Sequence, residues 1–344
     1  MIRKFILSFL LTILFIAPNA FGAQPHLGHK IHAVSKRLFV GGGDFSWDYC
    51  DKKLLQSILV MNSTTGEKIG QIQFENTIRA YDVHPSGRIG IVDARSVMRV
   101  YDVDLTLLAT IQHVVTGNES IYFDWNVTGD KLVYLAVRKD GEPPSEDAEV
   151  ADYRVAYIYD IKTHTTEKIV DCASSIRWAK HDGNIYYKIP LDSEADYGVY
   201  KYNPFTKATT KTSLLGVEFS ADGVYYVGSR TEGEEETPYN LIYRTADNKV
   251  VSDSDVDVEK VYELGEYNHF LGNSHKVLTR WDAPTAIFDA DQRTYSRLGI
   301  SNSIIGWSDD DSLLIIAEKG CKVRIENALT GQVVKELTID PAAN

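Results

Sequence analysis

The carboxylates of one short segment could bind a metal ion. Asp253, Asp255, Asp257 and Glu259 occupy every second position of the sequence SDSDVDVEK. In an extended chain all four would lie on one side, an arrangement that suits a hard cation such as calcium. The segment lacks the glycine that an EF-hand loop requires. The alternative is a solvated connection between two structural units.

Three histidines near the N-terminus form a second candidate metal site. His26, His29 and His32 lie close together in HLGHKIH, and three imidazoles could bind zinc or copper. The alternative is an ordinary chain terminus without a metal. Neither group has the spacing of an established metal motif. We therefore predict no bound cofactor, with calcium at the acidic segment as the alternative.

Sequence signatures of catalysis are missing from the chain. There is no G-x-S-x-G, no H-E-x-x-H, no cysteine pair with zinc-binding spacing and no glycine loop that would hold a phosphate. The sequence therefore predicts no catalytic residue. We expect a binding module rather than an enzyme.

The N-terminal residues have the features of a secretory signal. Arg3 and Lys4 precede an apolar run from Phe5 to Ile16, which is too short to span a bilayer. The sequence Ala-Phe-Gly at 20–22 places small residues where a signal peptidase cleaves. We predict a signal peptide over 1–22, one domain over 23–344, and a periplasmic or secreted protein without a membrane span. The alternative is an uncleaved membrane anchor.

The net charge excludes one class of partner. The formal charge is -12 at pH 7, and removing Arg3 and Lys4 leaves -14. Proteins that bind nucleic acid without sequence preference need clustered Lys and Arg to neutralise phosphates. We therefore expect no nucleic-acid partner, and the sequence makes no prediction of oligomeric state.

One phrase recurs along the chain and indicates the elements that must position any site. An apolar residue, a short polar turn and a second apolar run follow one another, and turn residues between two such runs are typical of a β-hairpin. The copies are YDVHPSGRIGIVD, FDWNVTGDKLVYLA, IRWAKHDGNIYYK, VEFSADGVYYVGS, HFLGNSHKVLTR and IGWSDDDSLLIIAE, with a degenerate copy, KIHAVSKRLFVGG, before them. Their spacing averages about 46 residues, the length of one four-stranded propeller blade.

A second pattern has the same period. After each hairpin the chain reads MNSTTG, YDVDLT, YDIKTHT, YNPFTK, FDADQR or ENALTG. Here the chain resembles the WD-repeat and YVTN-type propeller superfamily, although the Gly-His pair of WD repeats is absent. The resemblance implies an all-β β-propeller of four-stranded antiparallel blades. The seven copies of the phrase indicate a seven-bladed β-propeller, and six or eight blades stay open. Both terminal blades are expected to contain four consecutive strands.

An apolar or aromatic residue stands in the first strand of each hairpin, and the Trp and Phe among these residues are predicted to pack between blades, with stacking against a ligand as the alternative. These residues are Val83, Trp125, Trp178, Phe219, Phe270 and Trp307.

The long connections between second and third strands carry acidic and aromatic residues. Segments 41–56, 138–154, 188–198 and 229–240 have formal charges of -1, -3, -2 and -3, which is -9 of the mature -14. Such a face suits a protein or peptide partner with basic groups. The predicted binding residues are Trp47, Tyr49, Tyr153, Tyr197, Glu234, Glu235, Glu236 and Tyr239. Alternatives are solvated loops without a partner, carbohydrate binding by the aromatics, or an enzymatic or electron-transfer site in a central funnel.

The chain has three cysteines. Cys50 and Cys321 fall in connections on the same face of the first and last blades, which are neighbours in a closed ring. In an exported protein this placement favours a disulfide between them. Three cysteines allow three different pairings, and all three stay open. With Cys50 and Cys321 joined, Cys172 would be left as a small buried apolar residue.

Overall fold

A computed structural model describes fifteen stretches of the chain. They are residues 32–34, 37–41, 56–63, 65–115, 123–137, 154–190, 197–230, 239–251, 269–270, 273–279, 286–297, 304–308, 312–318, 321–327 and 330–338. The predicted signal peptide and most of the long acidic connections lie outside these described residues.

The described residues form 28 strands in seven four-stranded sheets. The first three sheets contain β1 (His32–Val34), β2 (Arg37–Gly41), β3 (Ser57–Asn62) and β4 (Lys68–Gln73); β5 (Ile78–Val83), β6 (Ile89–Asp93), β7 (Met98–Tyr101) and β8 (Leu107–Ile111); and β9 (Phe123–Trp125), β10 (Lys131–Val137), β11 (Arg154–Asp160) and β12 (Thr165–Asp171). The fourth and fifth contain β13 (Ser175–Trp178), β14 (Ile185–Pro190), β15 (Tyr197–Tyr202) and β16 (Thr209–Lys211); and β17 (Glu218–Phe219), β18 (Tyr225–Arg230), β19 (Tyr239–Arg244) and β20 (Lys249–Val250). The last two contain β21 (His269–Phe270), β22 (Lys276–Thr279), β23 (Ala286–Asp289) and β24 (Thr294–Arg297); and β25 (Ile304–Trp307), β26 (Leu313–Glu318), β27 (Lys322–Asn327) and β28 (Val333–Thr338).

Each sheet is built from four consecutive antiparallel strands in chain order. The first strands of different sheets touch one another: β1 contacts β5 and β25, β9 contacts β13, and β17 contacts β21. First strands therefore lie at the centre and fourth strands at the outside, which is the arrangement of a β-propeller. The predicted all-β propeller with four-stranded antiparallel blades is confirmed.

An asparagine and a glycine close the turn between the first and second strands of a sheet. In the third sheet, Asn126 Oδ1 accepts the backbone N–H groups of Asp130 and Lys131, both at 3.0 Å. Gly129 has a φ of +67°, which a side chain would disfavour. The equivalent glycines of the second, fourth and fifth sheets, Gly87, Gly183 and Gly223, also have positive φ. The predicted hairpins are therefore confirmed there.

The second repeated pattern has a physical cause in the turn between third and fourth strands. The Asp or Asn that ends the third strand accepts a backbone N–H two or three residues later, which closes an Asx turn. Asn203 Oδ1, for example, accepts the N–H groups of Phe205 and Thr206 at 2.9 Å. Asp160, Asp289 and Asn327 make the same bond to Thr163, Gln292 and Thr330.

The core lies between neighbouring blades. Trp125 is 4% exposed and packs in one cluster with Val92 and Met98 of the preceding sheet. Trp178 is buried similarly against Leu135 and Ile158. Inter-blade packing is thus confirmed for these tryptophans, and the half-buried Phe219 also packs against Tyr186 of the preceding sheet, with ring centroids 4.6 Å apart.

Among the residues that the structure describes, no helix reaches the length and apolarity that crossing a bilayer requires.

Candidate binding site in the central channel

Most of the binding residues predicted from the sequence fall outside the described part of the chain. This holds for Trp47, Tyr49, Tyr153, Glu234, Glu235 and Glu236, and for the calcium candidates Asp253, Asp255, Asp257 and Glu259. Their roles stay predictions. Within the described residues, no group of three or more His, Cys, Asp and Glu side chains is arranged to hold a metal ion.

Two predicted residues do lie in described strands. Tyr197 and Tyr239 are the first residues of β15 and β19, each at the end of a long connection. Tyr197 is 41% exposed, and the ammonium of Lys188 lies 5.8 Å from its ring centroid. Burial lowers the pKa of Lys188. Tyr197 is therefore an accessible aromatic with a cation against its ring.

The first strands carry a set of charged residues that the sequence analysis did not single out. Each residue directly precedes the hydrophobic residue of the repeated phrase, in four consecutive sheets. We call this set the channel cluster: Asp82 on β5, Asp124 on β9, Arg177 on β13 and Glu218 on β17. Because successive side chains of a strand point to opposite faces, these residues lie on the face opposite to that of the buried tryptophans. All four are half-buried, and they belong to the strands that surround the centre of the propeller.

Asp124 joins two neighbouring blades. Its Oδ1 accepts the N–H of Trp125 at 2.8 Å, and its Oδ2 accepts the N–H of Trp178 on the next first strand at 2.9 Å. Burial raises the pKa of Asp124 to about 6 from an ordinary 3.8, and the nearby charge of Asp82 adds to that shift. Arg177 and the Trp178 N–H act in the opposite direction. Asp124 therefore titrates near neutral pH.

Arg177 pairs with a different carboxylate. Its Nε lies 2.9 Å from Glu218 Oε2, and the two side chains are 24% and 29% exposed. Burial disfavours the guanidinium charge, but Glu218 and then Asp124 outweigh that effect and raise the pKa of Arg177. Glu218 makes the direct ion pair with Arg177. Asp124 and Asp82 also interact with the positive charge of Arg177, so three carboxylates share it.

The channel cluster therefore has an excess of negative charge. It holds three carboxylates and one guanidinium, and in the described part of the chain no Lys or Arg makes an ion pair with Asp124. A carboxylate with a raised pKa is stabilised when a cation approaches it. The cluster can therefore bind an ammonium or guanidinium group, or exchange a proton near pH 6.

The position of the channel cluster along the strands is set by topology. Its residues lie next to the tight turns that join first and second strands. The long acidic connections start where β10, β14 and β18 end, at Val137, Pro190 and Arg230, which is the opposite end of each sheet. The acidic connections thus start at the end of each sheet opposite to the channel cluster.

The cysteines are in two chemical states. Cys321 is disulfide-bonded. Cys172 is a thiol and is half-buried, whereas the sequence analysis expected a small buried residue there. Cys50 lies outside the described residues, and its pairing with Cys321 stays a prediction.

Comparisons with known proteins support the fold. No family model matches the chain, and no curated protein sequence matches it. The dihydro-heme d1 dehydrogenase NirN in complex with DHE is similar in structure, with a TM-score of 0.51 and 11% identity over 94% of this chain and 66% of that chain. The crystal structure of TolB from Acinetobacter baumannii gives a TM-score of 0.49 and 13% identity over 78% of this chain and 64% of that one.

The chain thus spans slightly less than two thirds of each of these structures. At such identity the likeness to NirN shows the propeller fold alone. The finer resemblance to WD-repeat and YVTN-type propellers stays a hypothesis.

Proposed function

We propose that the chain is an exported binding propeller that engages a protein or peptide partner through a basic group. The observation that carries the proposal is Asp124, a carboxylate at the centre of the propeller whose pKa burial raises to about 6. A lysine or arginine of a partner would add a second positive charge to the one that Arg177 shares between Glu218 and Asp124. Export is the expectation from the N-terminal signal sequence.

The charge of the whole chain supports the same partner chemistry. A net charge of -12 raises the encounter rate with a basic partner through long-range attraction. The predicted acidic connections, with Trp47, Tyr49, Tyr153, Tyr197, Glu234, Glu235, Glu236 and Tyr239, would add contacts at the other end of the propeller.

We also propose that the seven sheets close into one ring of seven blades. The contact between β1 and β25 supports this closure. Because both terminal sheets consist of four consecutive strands, the ring would close without exchange of a strand between its ends. A Cys50–Cys321 disulfide would then be its covalent link.

An enzyme is the second candidate function, and the same residue favours it. General acid–base catalysis needs a group whose pKa lies near the working pH, and Asp124 satisfies that condition. The two functions differ in what a variant removes. A binding module loses a partner, whereas an enzyme loses turnover of a small molecule.

Affinity capture from the native host tests the proposal. Three baits are compared: the tagged mature chain, its Asp124→Asn variant and an Asp104→Asn variant. Asp104 is an exposed carboxylate in a turn of the second sheet, so this control makes the same charge change. Partners should be lost from the Asp124→Asn bait and retained by the control.

A fourth bait with segments 138–154 and 229–240 shortened separates the two ends of the propeller. Loss of the partner from this bait alone would move the binding site to the acidic connections. Identical proteins on all four baits would contradict the proposal.

A further inference from the structure

A hydrogen-bonded chain joins the fifth and sixth sheets at their turn ends. His275, which precedes β22, directs Nε2 to Asp222 Oδ2 at 2.8 Å and Nδ1 to both Asp291 oxygens at 2.9 Å. Asp222 lies in the turn between β17 and β18, and Asp291 in the turn between β23 and β24. The histidine therefore bridges a carboxylate of each sheet.

The two carboxylates are held in place by other groups. Asp222 Oδ1 accepts the Ser220 hydroxyl at 2.8 Å and the Val224 N–H at 3.1 Å. Asp291 Oδ1 accepts the hydroxyl of Tyr225 at 3.1 Å, and the ring of Tyr225 meets that of His275 edge-on at 4.9 Å. The bridge is therefore an ordered arrangement with partners on both sheets.

The geometry requires a particular protonation state. A neutral imidazole has one N–H, whereas an ionised carboxylate only accepts hydrogen bonds. With His275 neutral, one ring nitrogen would turn its lone pair towards a carboxylate oxygen. Both bonds form together only when His275 carries two protons and a positive charge.

We propose that the Asp222–His275–Asp291 bridge is a pH-responsive latch between the fifth and sixth blades. Protonated His275 closes it, and loss of one proton breaks one of its two arms. The side chain of His275 is 22% exposed, and those of Asp222 and Asp291 are 51% and 59% exposed, so protons exchange freely with solvent.

The charges around the latch favour its closed form. Partial burial disfavours the imidazolium, but the hydrogen bonds and charges of Asp222 and Asp291 outweigh that effect and raise the pKa of His275. Tyr225 on β18 donates its hydroxyl to Asp291, and Arg244 at the end of β19 and Arg293 before β24 lower the pKa of that hydroxyl. A raised pKa means that the latch stabilises the fold fully below pH 6.5 and loses this effect as the pH rises through the folded-state pKa.

The protonation of His275 can be measured directly. Ring signals of the histidines are followed by NMR across pH 5 to 9 in the intact mature chain, and His275→Gln assigns the signal. The midpoint of His275 should lie above 6.5 and should fall in an Asp222→Asn, Asp291→Asn double variant. A wild-type midpoint at or below 6.5 would overturn the proposal.

Hydrogen exchange tests whether the bridge acts as a latch. The amide of Ala290 donates to the carbonyl of His275 at 3.1 Å within the sixth sheet, next to the Asp291 arm of the bridge. After correction for intrinsic exchange, its protection should fall as the pH passes the His275 midpoint. In His275→Gln it should stay low at every pH, while His113→Asn, a change at an exposed histidine of the second blade, should behave as wild type. Equal wild-type protection on both sides of the midpoint would show a static contact and contradict the latch.

Discussion

At the scale of single residues, the chemistry of the channel depends on Asp124. Its two backbone hydrogen bonds hold the carboxylate between two first strands, and burial makes its ionised form costly. The sequence shows an acid before a tryptophan but not this environment, because Trp178 and Arg177 come from the next repeat. The sequence does show a charged residue at the same position of four repeats.

The raised pKa of Asp124 predicts a pH dependence of stability. The native state binds a proton near pH 6, whereas the unfolded chain binds it near 3.8, so the free energy of unfolding increases as the pH falls from 7 to 5. Asp124→Asn should remove an increase of about 1 kcal/mol, which urea denaturation at the two pH values measures. Asp104→Asn should keep the wild-type increase. Equal pH dependence in wild type and Asp124→Asn would contradict the assignment.

At the scale of elements, the repeated phrases predicted the hairpins because their turn residues act locally. Gly129 and Asn126 close one turn, and Asn203 closes another, with bonds that span two to five residues. The latch could not be predicted in this way. His275 and Asp222 are 53 positions apart, and only the stacking of two blades brings them together.

Substitution of two glycines that share one backbone conformation separates the effects of φ and of packing on stability. Gly129 and Gly183 have φ of +67° and +68°. A Cβ on Gly129 would lie 2.5 Å from Nδ1 of the buried His84, whose ring is held by Ser86 and Val127, whereas a Cβ on Gly183 meets nothing within 4 Å.

Gly183→Ala should therefore cost about 1 kcal/mol from the left-handed backbone alone, and Gly129→Ala clearly more. Chemical denaturation of both variants measures the difference. Equal losses would show that the contact between the second and third blades yields easily to an added methyl group.

At the scale of the whole molecule, the proposed ring closes between the first and seventh sheets. A Cβ on Gly66, in the first sheet, would lie 2.8 Å from Leu337 Cδ2 of the last strand, so the outer parts of these blades also meet. The sequence predicted this neighbourhood through its period. It could not show which cysteines pair, because pairing depends on geometry.

Removal of a disulfide at this junction should lower the stability of the protein. Cys50→Ser should lower the free energy of unfolding by about 2 to 5 kcal/mol under non-reducing conditions, since the bond links distant parts of the unfolded chain. Cys172→Ser is the matched control and should have a much smaller effect. Peptide mapping without reductant should find Cys50 joined to Cys321, and a Cys50 thiol in that map would exclude the pairing.

The most direct test of the account is zero-length carbodiimide cross-linking of the mature chain to its captured partner. This reagent joins a carboxylate to an amine that is in contact with it, and fragment spectra identify both residues. A bond is expected from Asp124 or Asp82 to a lysine or the N-terminal amine of the partner. Cross-links confined to other carboxylates, with none to these two, would contradict a binding site in the central channel.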